Sequence, residues 1–232
     1  MNNQGRRILE NLRKSLRIDV NEYTTLLAKT TSNDPFKILV ATILSQNTSD
    51  KNSIEAYLRL ERRIGVTPKA IANASLDSIK EAIKPAGLYE RKSVVIKNLA
   101  SIIIDDYQGD SWKLVEGELE EARYRLLSLP GVGRKTADVV LMLTREADVF
   151  PVDTHARRIA LRLGIVKDPK SGYDEISRAY QKMFKGYCRE AHLYIIALGR
   201  KYCKAGNPRC PECPIRELCA TGRSTVINAP SS

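Results

Sequence analysis

Six residues in the second half of the chain carry side chains suited to chemistry or to holding a cofactor: Lys135, Asp153, Cys203, Cys210, Cys213 and Cys219. Lys135 follows Pro130-Gly131-Val132-Gly133-Arg134. A neutral lysine amine can attack a sugar carbon and form a Schiff base. A lysine after a glycine turn is also a common phosphate contact, and taken alone that is the more frequent use. Asp153 comes eighteen residues later, in Pro151-Val152-Asp153-Thr154-His155, where a helix N-cap would sit. Capping keeps a carboxylate ionised, and an ionised carboxylate can stabilise a cationic sugar as its base leaves or help remove an amine's proton. A plain helix cap is the competing role. His155 reads as a hydrogen-bonding structural residue, and Arg157, Arg158 and Arg162 as a solvated basic face within reach of phosphate.

Four of the five cysteines fall in one seventeen-residue stretch with the spacing C-x6-C-x2-C-x5-C. Disulfides are disfavoured without a secretory leader. A four-cysteine zinc site pairs two close knuckles, and only Cys210-x2-Cys213 has that spacing. A 4Fe-4S cluster also takes four thiolates from a compact loop. Spacing alone leaves zinc and iron–sulfur both open. Cys188 stands outside the set and reads as a small buried thiol.

The elements that must position these groups are helical almost throughout. Asp34-Pro35 opens a segment over Phe36 to Gln46, with Asp34 as cap and Pro35 at the first helical position. Leu76 to Ile83, Lys92 to Ile104, Leu114 to Leu129 and Tyr173 to Phe184 repeat apolar residues three and four apart. Sustained strand-like alternation is missing, so the expectation is an all-α protein of about ten helices or more. In LLSLPGVGRKTA, Leu126 to Ala137, one helix ends at Leu129, Pro130 stops it, and another starts after Gly133. The two glycines permit positive φ and leave the backbone amides uncovered, so the start of the second helix can hold a phosphate oxygen. Lys135 then lies in that helix's first turn, where the dipole disfavours a cation and lowers its pKa. The tail from Thr221 is expected to fray.

Lysine and arginine outnumber acidic residues by 38 to 27, a net charge of +11, which favours a polyanionic partner. Between Ile196 and Arg223 six basic residues face two acidic ones, so positive charge concentrates around the cysteines. Hydrophobic content of 43% is ordinary for a globular protein, and the longest apolar run, Ile38 to Leu44, is far too short to cross a membrane. Met1 to Leu12 is polar and basic with no apolar core, so a cytoplasmic location is expected.

Together these segments resemble endonuclease III, the helix-hairpin-helix DNA glycosylase family that carries an iron–sulfur cluster. The resemblance runs from about Asp34 to Cys219. It rests on LPGVGRKTADVV, on VDTH with its eighteen-residue lysine–aspartate separation, and on the cysteine spacing. It implies a 4Fe-4S cluster on Cys203, Cys210, Cys213 and Cys219, Lys135 as Schiff-base nucleophile and Asp153 as the essential carboxylate. It also implies a two-lobed fold with DNA between the lobes. Residues 33–146 would form a six-helix barrel lobe, residues 1–32 and 147–220 the cluster lobe, and 221–232 a tail.

By the same resemblance Gly131, Val132, Gly133 and Arg134 grip the DNA backbone, and a structural cluster presents Lys204 and Arg209 to phosphates. Leu88, in Gly87-Leu88-Tyr89, is the wedge that enters the helix where the target base leaves; read without the family it equally suits a buried loop anchor. Ser45-Gln46-Asn47-Thr48 resembles the segment that fills the gap in the DNA. The family pattern places glutamine three residues before Asp50, where this chain has Asn47, so Gln46 and Asn47 share that assignment. Asp50 matches an acidic residue bordering the damaged-base pocket.

The activity implied is that of a monomeric base-excision enzyme on double-stranded DNA. It would remove oxidised pyrimidines and cleave abasic sites by β-elimination. A monofunctional glycosylase releasing mismatched thymine or adenine would lack the nucleophilic lysine. An 8-oxoguanine enzyme would leave the cysteines unexplained, and a non-enzymatic hairpin module would have no use for the Lys135–Asp153 pair.

Overall fold

The computed structural model describes residues 1–227 and their side chains through residue 224. Within them the chain is all-α, with no strand. Its α-helices run in order α1 (Asn3–Ser15), α2 (Thr24–Thr31), α3 (Pro35–Ser45), α4 (Asp50–Arg63), α5 (Pro68–Asn73), α6 (Leu76–Ile83), α7 (Tyr89–Tyr107), α8 (Leu119–Leu127), α9 (Arg134–Thr144), α10 (Thr154–Leu163), α11 (Tyr173–Phe184), α12 (Cys188–Lys201) and α13 (Ala220–Ile227). The chain divides into two compact units: residues 19–147, and Met1–Ile18 together with the chain from Asp148.

In the 19–147 unit α3 is the central element. Its residues Phe36 to Leu44 are buried on every face except Lys37, because the segment is apolar all round. Helices α2, α4, α7 and α9 pack against it. Each fully buried leucine, isoleucine or phenylalanine contributes about 1.5–3 kcal/mol relative to exposure. The start of α3 is the one expected from Asp34-Pro35: Asp34 Oδ1 accepts from the Phe36 and Lys37 amides at 2.7 and 3.2 Å.

Two boundaries differ from the reading of the sequence. Residues 19–32 belong with this unit rather than with the cluster lobe, because α2 buries Leu26 and Ala28 here and Thr24 Oγ1 meets Ser53 Oγ at 2.6 Å. The apolar stretch from Leu114 to Leu129 is not one helix. Gly117 takes φ +77°, which breaks it into a 3-10 turn (Ser111–Leu114) and α8. With those divisions the unit holds eight α-helices among the described residues.

The other unit joins the N-terminal helix to the second half of the chain. Ile8, Leu9 and Leu12 of α1 are fully buried with Phe150, Tyr180, Phe184 and Ile195. Phe150 stacks on Tyr180 with ring centroids 4.1 Å apart. A Cβ at Gly5 would stand 2.3 Å from the Met183 carbonyl oxygen, so only glycine lets α1 approach α11 this closely. Arg13 ties α1 to α12 as well, with a bidentate pair to Glu190 at 2.7 and 2.6 Å. The tail is helical over Ala220–Ile227 where fraying was expected, and its last five residues, 228–232, lie outside the described residues. Among the described residues no helix is long and apolar enough to cross a membrane.

Candidate active site and metal centre

The hairpin between α8 and α9 follows from its two glycines, which do different work. Gly131 sits at φ +76°, and a Cβ there would meet Val95 Cγ1 at 2.7 Å, so the position excludes other residues twice over. Gly133 does not need positive φ. It is the N-cap of α9 in extended backbone (φ −95°, ψ 177°), no side chain caps the helix, and a Cβ there would meet nothing. The helix therefore starts without an intervening side chain, which is the geometry that receives an anion. Val132 is buried and its amide donates to Leu129 O at 3.2 Å, tightening the turn. Arg134 is exposed, and Lys135 is half-buried in the first turn of α9.

Two contacts brace the hairpin. Arg123 of α8 donates through Nε to the nearly inaccessible Asp138 of α9 at 3.0 Å, with Nη2 at the same distance. Gln46 Nε2, just past α3, donates to the Gly131 carbonyl and to Thr136 Oγ1, both at 3.3 Å. Of the two residues assigned to the DNA gap, Gln46 is thus half-buried against the hairpin, while Asn47 is exposed in the left-handed region at φ +52°.

Leu88 is 59% exposed and also left-handed, at φ +48°, following Gly87 at φ +61°. An exposed leucine is not a buried anchor. Asp50 lies half-buried in the first turn of α4 behind the cap Ser49, whose Oγ accepts from Asn52 N at 3.3 Å.

One residue at this site was missed in the sequence. Lys92 of α7 is 5% exposed, and its Nζ reaches Leu44 O (2.9 Å), Gln46 O (2.8 Å), Thr48 Oγ1 (2.7 Å) and Ala86 O (3.0 Å). All four acceptors are neutral, so burial pulls the ammonium down to about 8. A signal was present: Lys92 continues the buried stripe of Ile96, Leu99 and Ile103 back by one turn.

Asp153, in the other unit, is the N-cap of α10, with Oδ1 accepting from Ala156 N at 2.7 Å. Its approach is held by Val152 N donating to Tyr173 Oη at 3.3 Å, and the helix start by Tyr180 Oη donating to Ala156 O at 2.8 Å. His155 lies 2.9 Å (Nδ1) from Arg158 Nη2, a structural contact.

The three arginines of α10 are not a solvated face. Arg157 donates to Ser171 O at 2.7 Å, and Arg158 to Cys203 O at 2.8 Å and Gly199 O at 3.3 Å. Arg162 donates to Lys204 O at 2.6 Å and Ala205 O at 2.8 Å, with Cys203 Sγ 3.2 Å away. Arg158 and Arg162 satisfy carbonyls of the last turn of α12 and the start of the cysteine-rich loop, and Arg157 one of the loop before α11, so all three are committed within the protein.

Cys203, Cys210, Cys213 and Cys219 all line one cavity of about 390 Å³, counted with its open mouth, beside Ile159, Leu163 and Arg162. None is in a disulfide. Two 3-10 turns, Cys210–Glu212 and Arg216–Leu218, bend the loop so that its sulfurs converge on this space. A Cβ at Gly222 would stand 2.7 Å from Arg216 O, so α13 closes tightly over the second turn. Burial, reinforced by the neighbouring thiols, pushes Cys213 up to about 11 and Cys219 upward as well. Four adjoining thiolates repel one another unless iron neutralises them. Among the described residues no three His, Cys, Asp or Glu side chains are grouped to hold a single metal ion, while the four cysteines all line one cavity. That donor set fits a polynuclear cluster.

Lys204 is exposed, and Arg209 is exposed and paired with Glu212 at 3.0 and 2.6 Å. An exposed pair of that kind contributes about 0–1 kcal/mol. Cys188 is buried at the start of α12, away from the cavity, and burial raises its thiol far above the ordinary range.

Residues 40–185 match the family described as HhH-GPD superfamily base excision DNA repair protein, and residues 203–219 match the iron–sulfur binding domain of endonuclease III. Endonuclease III of Sulfolobus acidocaldarius is 37% identical over 212 residues, covering 90% of this chain and 92% of that protein. A non-covalent endonuclease III–DNA complex has a similar structure, with TM-score 0.78 at 29% identity over 98% of this chain and 100% of that one. A trapped endonuclease III–DNA covalent intermediate gives TM-score 0.72 at 32% identity, covering 83% of this chain and 86% of that one. The iron–sulfur match spans all four clustered cysteines, and the cofactor is a 4Fe-4S cluster.

Proposed function

The chain belongs to the endonuclease III family of HhH-GPD base excision DNA repair proteins, and on that premise we propose that it releases oxidised pyrimidines from duplex DNA and cuts the abasic strand through Lys135. The observation that carries this reading is the half-buried Lys135, set in the first turn of a helix whose N-cap is a glycine with no side-chain cap. The bare helix start and Arg134 hold a backbone phosphate, sequence-independently, as suits an enzyme that must scan.

In the reaction the neutral Lys135 amine attacks C1′ of the damaged nucleotide, and the bond from C1′ to the base breaks. The Asp153 carboxylate, held in place as the cap of α10, stabilises positive charge on the sugar and takes up the proton that the attacking amine gives up. Ring opening leaves a Schiff base between Lys135 and C1′. Loss of a C2′ proton then expels the 3′ phosphate by β-elimination, and water hydrolyses the Schiff base to free the amine.

Leu88, exposed at the head of α7, serves as the wedge, with Gln46 and Asn47 beside the gap and Asp50 at the pocket edge. Cys203, Cys210, Cys213 and Cys219 hold the cluster, whose contribution is to shape the loop that offers Lys204 and Arg209 to phosphate. The enzyme works in this reading as a cytoplasmic monomer on damaged or abasic duplex DNA.

The test incubates the protein with duplexes carrying thymine glycol, uracil, 8-oxoguanine or an abasic site, with and without borohydride. Borohydride is expected to trap a covalent adduct on the thymine glycol and abasic duplexes, and Lys135→Gln to abolish both trapping and strand cleavage. Base release without any adduct would overturn the assignment of Lys135.

A further inference from the structure

We propose that Lys92 is a positioning residue that ties the Gln46–Thr48 segment to the Ala86–Leu88 turn, so that Asn47 and Leu88 are presented to DNA as one paired wedge. This rests on the proposal above that the two residues enter damaged duplex. Lys92 is on the interior face of α7, and its amine reaches both segments at once. Gln46 O and Thr48 Oγ1, on either side of Asn47, lie 2.8 and 2.7 Å away, and Ala86 O, two residues before Leu88, lies at 3.0 Å. Thr48 completes the tie, since its hydroxyl also bonds Ala86 O. The fourth acceptor, Leu44 O, belongs to the last turn of α3, where helix carbonyls lose their intrahelical partners.

The backbone supplies an independent observation. Asn47 and Leu88 are two of the four non-glycine residues with positive φ among the described residues, and one Lys92 side chain bridges their loops. The left-handed region is strained for a leucine, whose Cβ crowds the following carbonyl oxygen. Burial does not repay it here, because Leu88 is 59% exposed. Strain held at an exposed apolar residue by a buried charge points to a use outside the fold. A buried ammonium ringed only by carbonyls and a hydroxyl is an expensive way to close a core that Met or Leu would fill.

The experiment uses the full-length, cluster-loaded protein and a duplex with a tetrahydrofuran abasic-site analogue opposite 2-aminopurine, beside an intact duplex. Lys92→Met is expected to lower the preference for the abasic duplex about tenfold and to abolish the 2-aminopurine fluorescence change. Affinity for intact duplex and the iron absorbance should stay as in the wild type. A cycle with Leu88→Ala separates positioning from general support. If Lys92 acts through the wedge, the double variant loses no more than the worse single one, whereas additive losses overturn the proposal. Should Lys92→Met not fold, Thr48→Val removes the bridging hydroxyl and enters the same cycle. A wild type without preference for the abasic duplex would refute the underlying reading. A wild type with that preference, matched by an unaltered Lys92→Met, would refute the positioning role alone.

Discussion

Helices α9 and α10 carry the two residues assigned to catalysis, and they begin in opposite ways. The first starts at Gly133, with no side-chain cap and open space where a Cβ would be. The second starts at Asp153, whose carboxylate occupies the Ala156 amide at 2.7 Å. The same macrodipole acts at both starts, with about half a positive charge at each. At α10 a resident carboxylate fills the helix start, and at α9 nothing does. In the proposed reading the open start receives a phosphate and the resident carboxylate serves the chemistry.

That contrast can be broken at Asp153, where the largest effect is expected. Asn caps a helix about as well as Asp, so Asp153→Asn should hold Tm within about 2 °C while single-turnover base release falls at least about 100-fold. Asp153→Ala should lose the activity together with about 1 kcal/mol of capping. If Asp153→Asn keeps full activity, the residue is a cap and nothing more.

Making the two helix starts alike tests the other side. Gly133→Asp places a carboxylate where nothing blocks it. It should leave stability unchanged or a few tenths of a kcal/mol higher, yet weaken duplex binding about tenfold at low salt, as read by fluorescence anisotropy. Unaltered affinity would remove the phosphate seat from α9. The smallest effect belongs to the turn itself: Gly131→Ala combines φ +76° with a 2.7 Å approach to Val95. A loss of about 1–2 kcal/mol in urea unfolding is expected, and no loss would show that the turn relaxes freely.

Much of this was legible in the residue order because the signals are short-range. Asp34-Pro35 starts α3, Pro130-Gly131 turns the hairpin, and Asp153 caps α10, each within four residues of what it acts on. At the site, the residues misread or missed have long polar side chains. Arg158 and Arg162 look solvated on an amphipathic helix, until folding brings residues 199 to 205 to them as carbonyl acceptors. Lys92 looks like one more surface lysine, though its partners lie as far as 48 residues away. The cysteine spacing admitted zinc or iron, and the match of residues 203–219 to the iron–sulfur binding domain of endonuclease III decides between them.

Helix starts, turns and the cysteine set are therefore written in the chain's order, because caps, φ preferences and ligand spacing act over a few residues. The destinations of Lys92, Arg158 and Arg162 were left to the packed fold. A lysine or arginine can span six ångströms or more to whichever acceptor the core leaves unsatisfied, and only the assembled helices determine which carbonyls those are.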